Sequence, residues 1–208
     1  MESGKHKLLQ RCGWLGVAGV ALYFFHIIIG NILYESYNPV TQTISDLTAD
    51  GAQSQTAATV FSVLYGVFTT FFALAFYILF RKKINRIFSL GALLFFVMNF
   101  VSVVGYAFFP LSEVGGGKAF QDTMHIIITG VVVALSIASF ILLAIGFIKT
   151  KKYKAMGILA IITLALMMVG SITSGAVASI LGLAERVIIY SLQLYILTLS
   201  IWMLKYKE

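Results

Sequence analysis

The chain has 208 residues, 60% of them apolar and 11% charged, with two prolines and one cysteine. That balance leaves no room for a separate soluble domain, and the lone Cys12 excludes an internal disulfide. A net charge of +7 accompanies six long apolar stretches, so the positive charge reads as a membrane-topology signal and not as a nucleic-acid footprint.

Lys5, Lys7 and Arg11 precede the first stretch, residues 13–33. It continues well past a loose cleavage-site pattern at Ala18 and Ala21, which predicts an uncleaved spanning helix. His26 lies 12 residues beyond Trp14, about 18 Å along that helix. The connection of residues 34–59 is the longest and most polar. Pro39 suits a first helical turn and Asp50-Gly51 a helix end. Val40, Ile44 and Leu47 form one apolar stripe beside a polar stripe of Thr41, Ser45 and Thr48, with Asp46 further round. Together they predict a short amphipathic helix at the outer interface.

The second span, 60–80, ends in Arg81, Lys82, Lys83 and Arg86, and the third, 87–109, carries Asn99, Ser102 and Tyr106 on one stripe. The next connection, 110–121, contains Gly115-Gly116-Gly117, either a lid or an ordinary turn. Asp122-Thr123-Met124-His125 then opens the fourth span, 123–148, which is followed by Lys149, Lys151, Lys152 and Lys154. In the fifth span, 155–181, Ser171, Gly175 and Ser179 recur every four residues, a spacing that favours close helix packing. Gly182-Leu183-Ala184-Glu185-Arg186 leads to the last span, 187–204, with Tyr190 and Gln193 on one face and Lys205 and Lys207 beyond it.

Thirteen of the 15 basic residues thus fall on one side, leaving Lys118 and Arg186 on the other. The expected fold is an all-α polytopic membrane protein, a bundle of six transmembrane helices forming a single membrane domain over residues 1–208. It is expected in the plasma membrane, with both termini cytoplasmic and a short outer interfacial helix. The two inner connections are short and basic, suited to holding topology and binding headgroups rather than building a pocket.

Candidate chemistry therefore concentrates at the outer end. Asp122 suits a helix N-cap and shares a helix face with His125, which is either an interfacial hydrogen-bonding group or a site residue. Glu185 suits a helix first turn, where negative charge is favoured. Arg186 either snorkels, pairs with Asp46, Asp122 or Glu185, or receives an anionic head group such as a phosphate. Asp46, Asp122 and His125 are the candidates for acid–base catalysis. Glu35, Ser45, Glu185 and Arg186, with His26 and Asn99 deeper in the bundle, are the candidates for ligand binding. Residues such as Asn99 and Gln193 are more often interhelical hydrogen-bonding groups than ligand contacts.

The stretch Tyr37-Asn38-Pro39-Val40-Thr41-Gln42-Thr43-Ile44-Ser45-Asp46-Leu47 resembles the signature of a prokaryotic membrane family, domain of unknown function 998. Phe109-Pro110 with His125 resembles that family's second motif, and Gly182-Leu183-Ala184-Glu185-Arg186 its third. The resemblance covers nearly the whole chain. It implies a six-helix bacterial or archaeal membrane protein and no activity, and it singles out Ser45, Asp46, Pro110, His125, Glu185 and Arg186. An acid associated with the second motif is missing after Pro110, so its role falls to Asp122 or Glu113 or is absent.

Three functions compete. Binding or transport of a small or amphipathic, lipid-like ligand comes first, with His26, Asn99 and Gln193 able to line a pocket. A membrane-embedded hydrolase or transferase acting on lipid headgroups at the outer leaflet is the alternative, and a structural or accessory protein is the third. Catalytic zinc takes about three protein ligands, and only His26 and His125 lie in the membrane region. No metal or other cofactor is therefore expected, the residual metal option being His125 with Asp46 or Asp122. The expected partners are membrane lipids and such a ligand, with no nucleic acid; the oligomeric state is left open.

Overall fold

A bilayer offers no water to backbone N–H and C=O groups, so so apolar a chain must satisfy them within helices. The computed structural model describes residues 2–206 and is built of helices, with no strand among those residues. A short α1 (Glu2–Arg11) runs almost directly into α2 (Gly13–Leu33). Then follow α3 (Gln55–Phe80), α4 (Arg86–Phe108), α5 (Phe120–Lys149), α6 (Lys154–Ala176) and α7 (Leu181–Lys205). Six helical segments are long and apolar enough to cross a membrane, and the protein is an integral membrane protein. Each spanning helix packs on its chain neighbours and α7 closes back on α2, which makes a ring. Ile32, Phe108, Phe120, Ile126 and Ile172 are among its most exposed side chains, an outward apolar surface that suits lipid.

Between helices in lipid the gain comes from close contact, since acyl chains are as apolar as leucine. Small residues provide part of it. A Cβ at Gly146 on α5 would stand 2.6 Å from Phe88 Cα on α4, and backbone cannot swing aside. Aromatic side chains provide the rest. Phe72, Phe76 and Phe80 recur every four residues on α3 and meet Phe88 and Phe95 of α4 and Trp202 of α7, and Phe147 of α5 joins them through Phe88 and Trp202. Ring centroids lie 4.6 Å apart for Phe80–Trp202 and 4.9 Å for Phe88–Phe147. Such pairs add roughly 0.5–1.5 kcal/mol each beyond their buried area. They fill the half of the ring nearer the termini.

The opposite end is closed by residues 34–54, and here the structure departs from the amphipathic helix expected from the stripe. The segment turns at residues 38–42 and makes only one short 3-10 turn, Ser45–Thr48. Local side chains take over the bonds a helix would use: Asn38 N–H donates to Gln42 Oε1 (2.6 Å) and Val40 N–H to Asn38 Oδ1 (2.9 Å). The carbonyls of Pro39 and Gln42 are claimed by Arg186 instead of by amides four residues on. Only part of the apolar stripe turns inward: Ile44 and Leu47 are buried against Tyr23, Ile27 and Ala58, while Val40 stays exposed. Gly30 admits Leu47, since a Cβ there would lie 3.0 Å from Leu47 Cδ1.

Helix ends also differ, and α3 begins at Gln55 rather than 60. α6 stops at Ala176 rather than continuing to 181, and α7 begins at Leu181 rather than 187. Glu185 and Arg186 therefore sit inside the first turns of α7 and not in a connection.

Candidate functional site

A charged side chain at the capped end gives up water and must find protein partners. Arg186 does so without a carboxylate. Its Nη1 donates to the carbonyls of Pro39 (2.7 Å), Gly182 (2.9 Å) and Gln42 (3.2 Å), and its Nη2 to the Tyr37 hydroxyl. Tyr37 in turn donates to Thr43 O at 2.7 Å, and burial pushes its phenol up to about 12 against the opposing pull of Arg186. The planar guanidinium thus pins the cap onto α7. Gly182 makes the approach possible, because a Cβ there would overlap Gln42 O.

The acids continue the pattern. Glu185 Oε2 accepts Ile44 N–H at 2.6 Å. Asp46, buried, accepts Thr43 N–H (2.8 Å) and, across to the next connection, Gly115 N–H (2.7 Å). Asp50 N–H donates to Leu111 O at 3.0 Å, so the two connections are stitched together. Ser45 Oγ shares a hydrogen bond with Thr43 Oγ1 (2.9 Å). Asp122 is not the N-cap of α5, a position held by Ala119. From the first turn it reaches back to Ser112, accepting the N–H at 2.8 Å and the hydroxyl besides.

His125 bonds neither Asp46 nor Asp122. Its Nδ1 lies 2.9 Å from Phe109 O, and a carbonyl only accepts, so Nδ1 carries the proton and Nε2 the lone pair in the neutral ring. The ring packs at a tilt against Tyr106 at 4.8 Å, and Tyr106 shares a hydrogen bond with Thr129 (3.0 Å). Glu35 is exposed at the rim, where its backbone N–H donates to Gln53. Among the described residues no three His, Cys, Asp or Glu side chains gather as a metal-ligand set.

Beneath the cap the ring interior is polar. His26 on α2 is 3% exposed and neither ring nitrogen has a partner; Tyr23 meets it edge-on at 5.5 Å. Tyr23 packs on Tyr65 of α3 at 4.6 Å, and the Tyr65 hydroxyl accepts from Gln193 Nε2 of α7 at 2.8 Å. Gln193 is wholly buried, yet its Oε1 is unbonded. Tyr190 packs on Phe24 at 5.5 Å. Asn99, buried on α4, donates to Phe95 O of its own helix at 2.8 Å.

The residues singled out from sequence therefore separate into two groups. Ser45, Asp46, Asp122, Glu185 and Arg186 bond the cap and its neighbouring loop, while His26 lies below in an aromatic layer. Sequence reasoning missed Tyr23, Tyr37, Tyr65 and Ser112. The spacing of Tyr23 to His26, three residues on one helix, was the signal available for the first.

A family model described as "Protein of unknown function (DUF998)" matches residues 17–202, so the chain belongs to that family. No curated protein and no solved structure matches it.

Proposed function

We propose that this member of the DUF998 family binds a small amphipathic ligand inside the ring, beneath the cap, with His26, Gln193 and the surrounding tyrosines as the polar contacts. One observation carries this reading: both nitrogens of His26 and Oε1 of Gln193 are buried without any hydrogen-bond partner. An orphaned buried polar group costs roughly 1–3 kcal/mol, and buried ionisable or polar groups at membrane depth point to function by default. A ligand hydroxyl, amide or amine would satisfy them. Neutral imidazole offers one donor and one acceptor, and the glutamine carbonyl offers a second acceptor.

The cap residues then act as a closure that keeps this layer from bulk water, not as the chemistry itself. Thirteen of the 15 basic residues lie at or beyond the end that carries the termini. By the positive-inside rule that end faces the cytoplasm of a plasma membrane and the cap faces outward. A ligand arriving from the outer leaflet or through the ring wall crosses apolar surface, which favours a lipid-like body on a polar head.

Native mass spectrometry of the full-length protein, extracted in mild detergent, tests the reading. The wild type is expected to retain a stoichiometric non-protein mass that His26→Leu and Gln193→Leu both lose while staying folded. A wild type that flies empty, or variants that hold the same mass at the same occupancy, would overturn it.

A further inference from the structure

At the end of the ring away from the cap, we propose that the groove between α1 and the end of α7 holds the head group of an anionic phospholipid from the cytoplasmic leaflet. Cys12 N–H donates to Leu8 O at 3.2 Å, so α1 and α2 follow one helical course. Lys7, Arg11 and Trp14 fall at i, i+4 and i+7 of that course and share a face. All three are exposed, Trp14 by 63%. With Gln10 and Leu204 they line an open depression of about 480 Å³, a size common among small-molecule sites.

The walls of the depression are fixed. Gln10 Nε2 donates to the carbonyls of Leu204 (2.9 Å) and Tyr206 (2.8 Å). A Cβ at Gly13 would stand 2.8 Å from Ser200 O, so α2 lies tight against α7. The last carbonyls of a helix commonly draw a nearby lysine or arginine. Here a neutral amide takes two of them, and both cations remain over. Among the described residues neither Lys7 nor Arg11 has a hydrogen bond, an ion pair or a ring as partner. Cations of the next connection and the one after it differ: Arg81 lies over Tyr77 at 5.7 Å, Lys83 over Tyr206 at 5.3 Å and Lys152 over Tyr153 at 5.4 Å. Six of the eight acids lie at the capped end, all but Glu2 and Glu208.

The chemistry of the depression selects its occupant. The planar fork of Arg11 matches two phosphate oxygens, and Lys7 adds a point charge. Trp14 has an apolar body and an N–H tip, the form that sits at head-group level in a membrane. Beside Leu204 it offers an apolar floor to a glycerol and the first methylenes of an acyl chain. A free phosphate would use the cations and leave that floor empty. By the positive-inside rule this end faces the leaflet whose surface carries negative charge.

The test offers two lipids with identical dioleoyl chains, phosphatidylglycerol and phosphatidylcholine, to the full chain in maltoside micelles. Native mass spectrometry reads the occupancy of each. The wild type is expected to hold phosphatidylglycerol over phosphatidylcholine by about tenfold. Lys7→Gln with Arg11→Gln breaks no bond in the fold and should abolish that preference, each single change giving an intermediate value. Lys151→Gln with Lys154→Gln removes the same charge from the same end and should leave the preference intact. His26→Leu, within the ring, should leave it intact as well.

Equal occupancy of the two lipids in the wild type overturns the proposal. A preference lost equally in the Lys151 and Lys154 pair also overturns it, because the attraction would then belong to the whole basic end. Glycerol 1-phosphate retained as well as the lipid would overturn it too, making the site one for a free phosphate. A preference abolished by His26→Leu would move the lipid into the ring and remove it from this groove.

Discussion

The ring has two halves built on opposite logic. Towards the termini its interior is phenylalanine and tryptophan, with Phe72, Phe76, Phe80, Phe88 and Phe147 fully buried. Towards the cap it is tyrosine, histidine and glutamine, and buried polar atoms are left unpaired. The first half can be read as pure adhesion, because every ring there has ring neighbours. The second cannot, since close-packed phenylalanines would hold the helices together at less cost than an orphaned imidazole. Natural chains keep such costs where function requires them.

The sharpest way to break that division is at the cap. Arg186→Leu would strand the carbonyls of Pro39, Gln42 and Gly182 and the Tyr37 hydroxyl together. Removing one side of such a buried charged network costs about 4 kcal/mol. The variant should melt well below the wild type, and chymotrypsin should cut within residues 34–54 at Tyr34, Tyr37 or Leu47. A cap that stays resistant would mean that Arg186 is not what pins it.

Phe80→Ala comes next. It empties a site where Phe80 touches Phe76, Phe88, Trp202 and Tyr206, at a cost of about 3 kcal/mol. Thermal melting should report that loss while ligand occupancy in mass spectrometry stays at wild-type level. Loss of both in parallel would show that the two halves are not separable.

His26→Leu should move in the opposite sense. Since neither ring nitrogen has a partner, leucine removes a desolvated polar group and breaks no bond. The melting temperature should hold or rise, by no more than about 1 kcal/mol of stability, while bound ligand disappears. A large destabilisation would instead make His26 a packing residue and return the polar layer to structure.

Most of the ring was legible from sequence, because six apolar stretches with one-sided charge admit few other solutions. The cap was not. Its helical stripe of Val40, Ile44 and Leu47 was real in spacing, yet the helix lost to Asn38, Gln42 and a long-range arginine that offered the backbone better-placed partners. The acids and Arg186 stood out as charges, but charge alone cannot distinguish a ligand site from a backbone clamp. Only the partners of each oxygen and nitrogen separate Asp46, bonded to two loop amides, from Glu185, bonded through one oxygen. Tyr65 and Gln193 lie 128 residues apart, a pairing that neither helix pattern encodes.

The smallest expected effect concerns the same clamp and appears only in alkali. Burial holds the Tyr37 phenol at about 12, above its ordinary value of 10. A group with a raised folded pKa stabilises the fold fully below its unfolded pKa and loses that contribution as pH climbs to the folded one. Between about pH 10 and pH 12 the unfolded phenol ionises first, so Tyr37 draws stability out of the folded state across that window. Other tyrosines and lysines titrate there too, so the informative quantity is a difference. Tyr37→Phe loses the donor to Thr43 O and the acceptor for Arg186, and melts lower at neutral pH. Its deficit relative to the wild type should then shrink as pH rises from 10 to 12. A deficit that stays constant across that range would mean that the buried phenol does not gate the cap's alkaline stability, and that Arg186 holds the segment through the carbonyls alone.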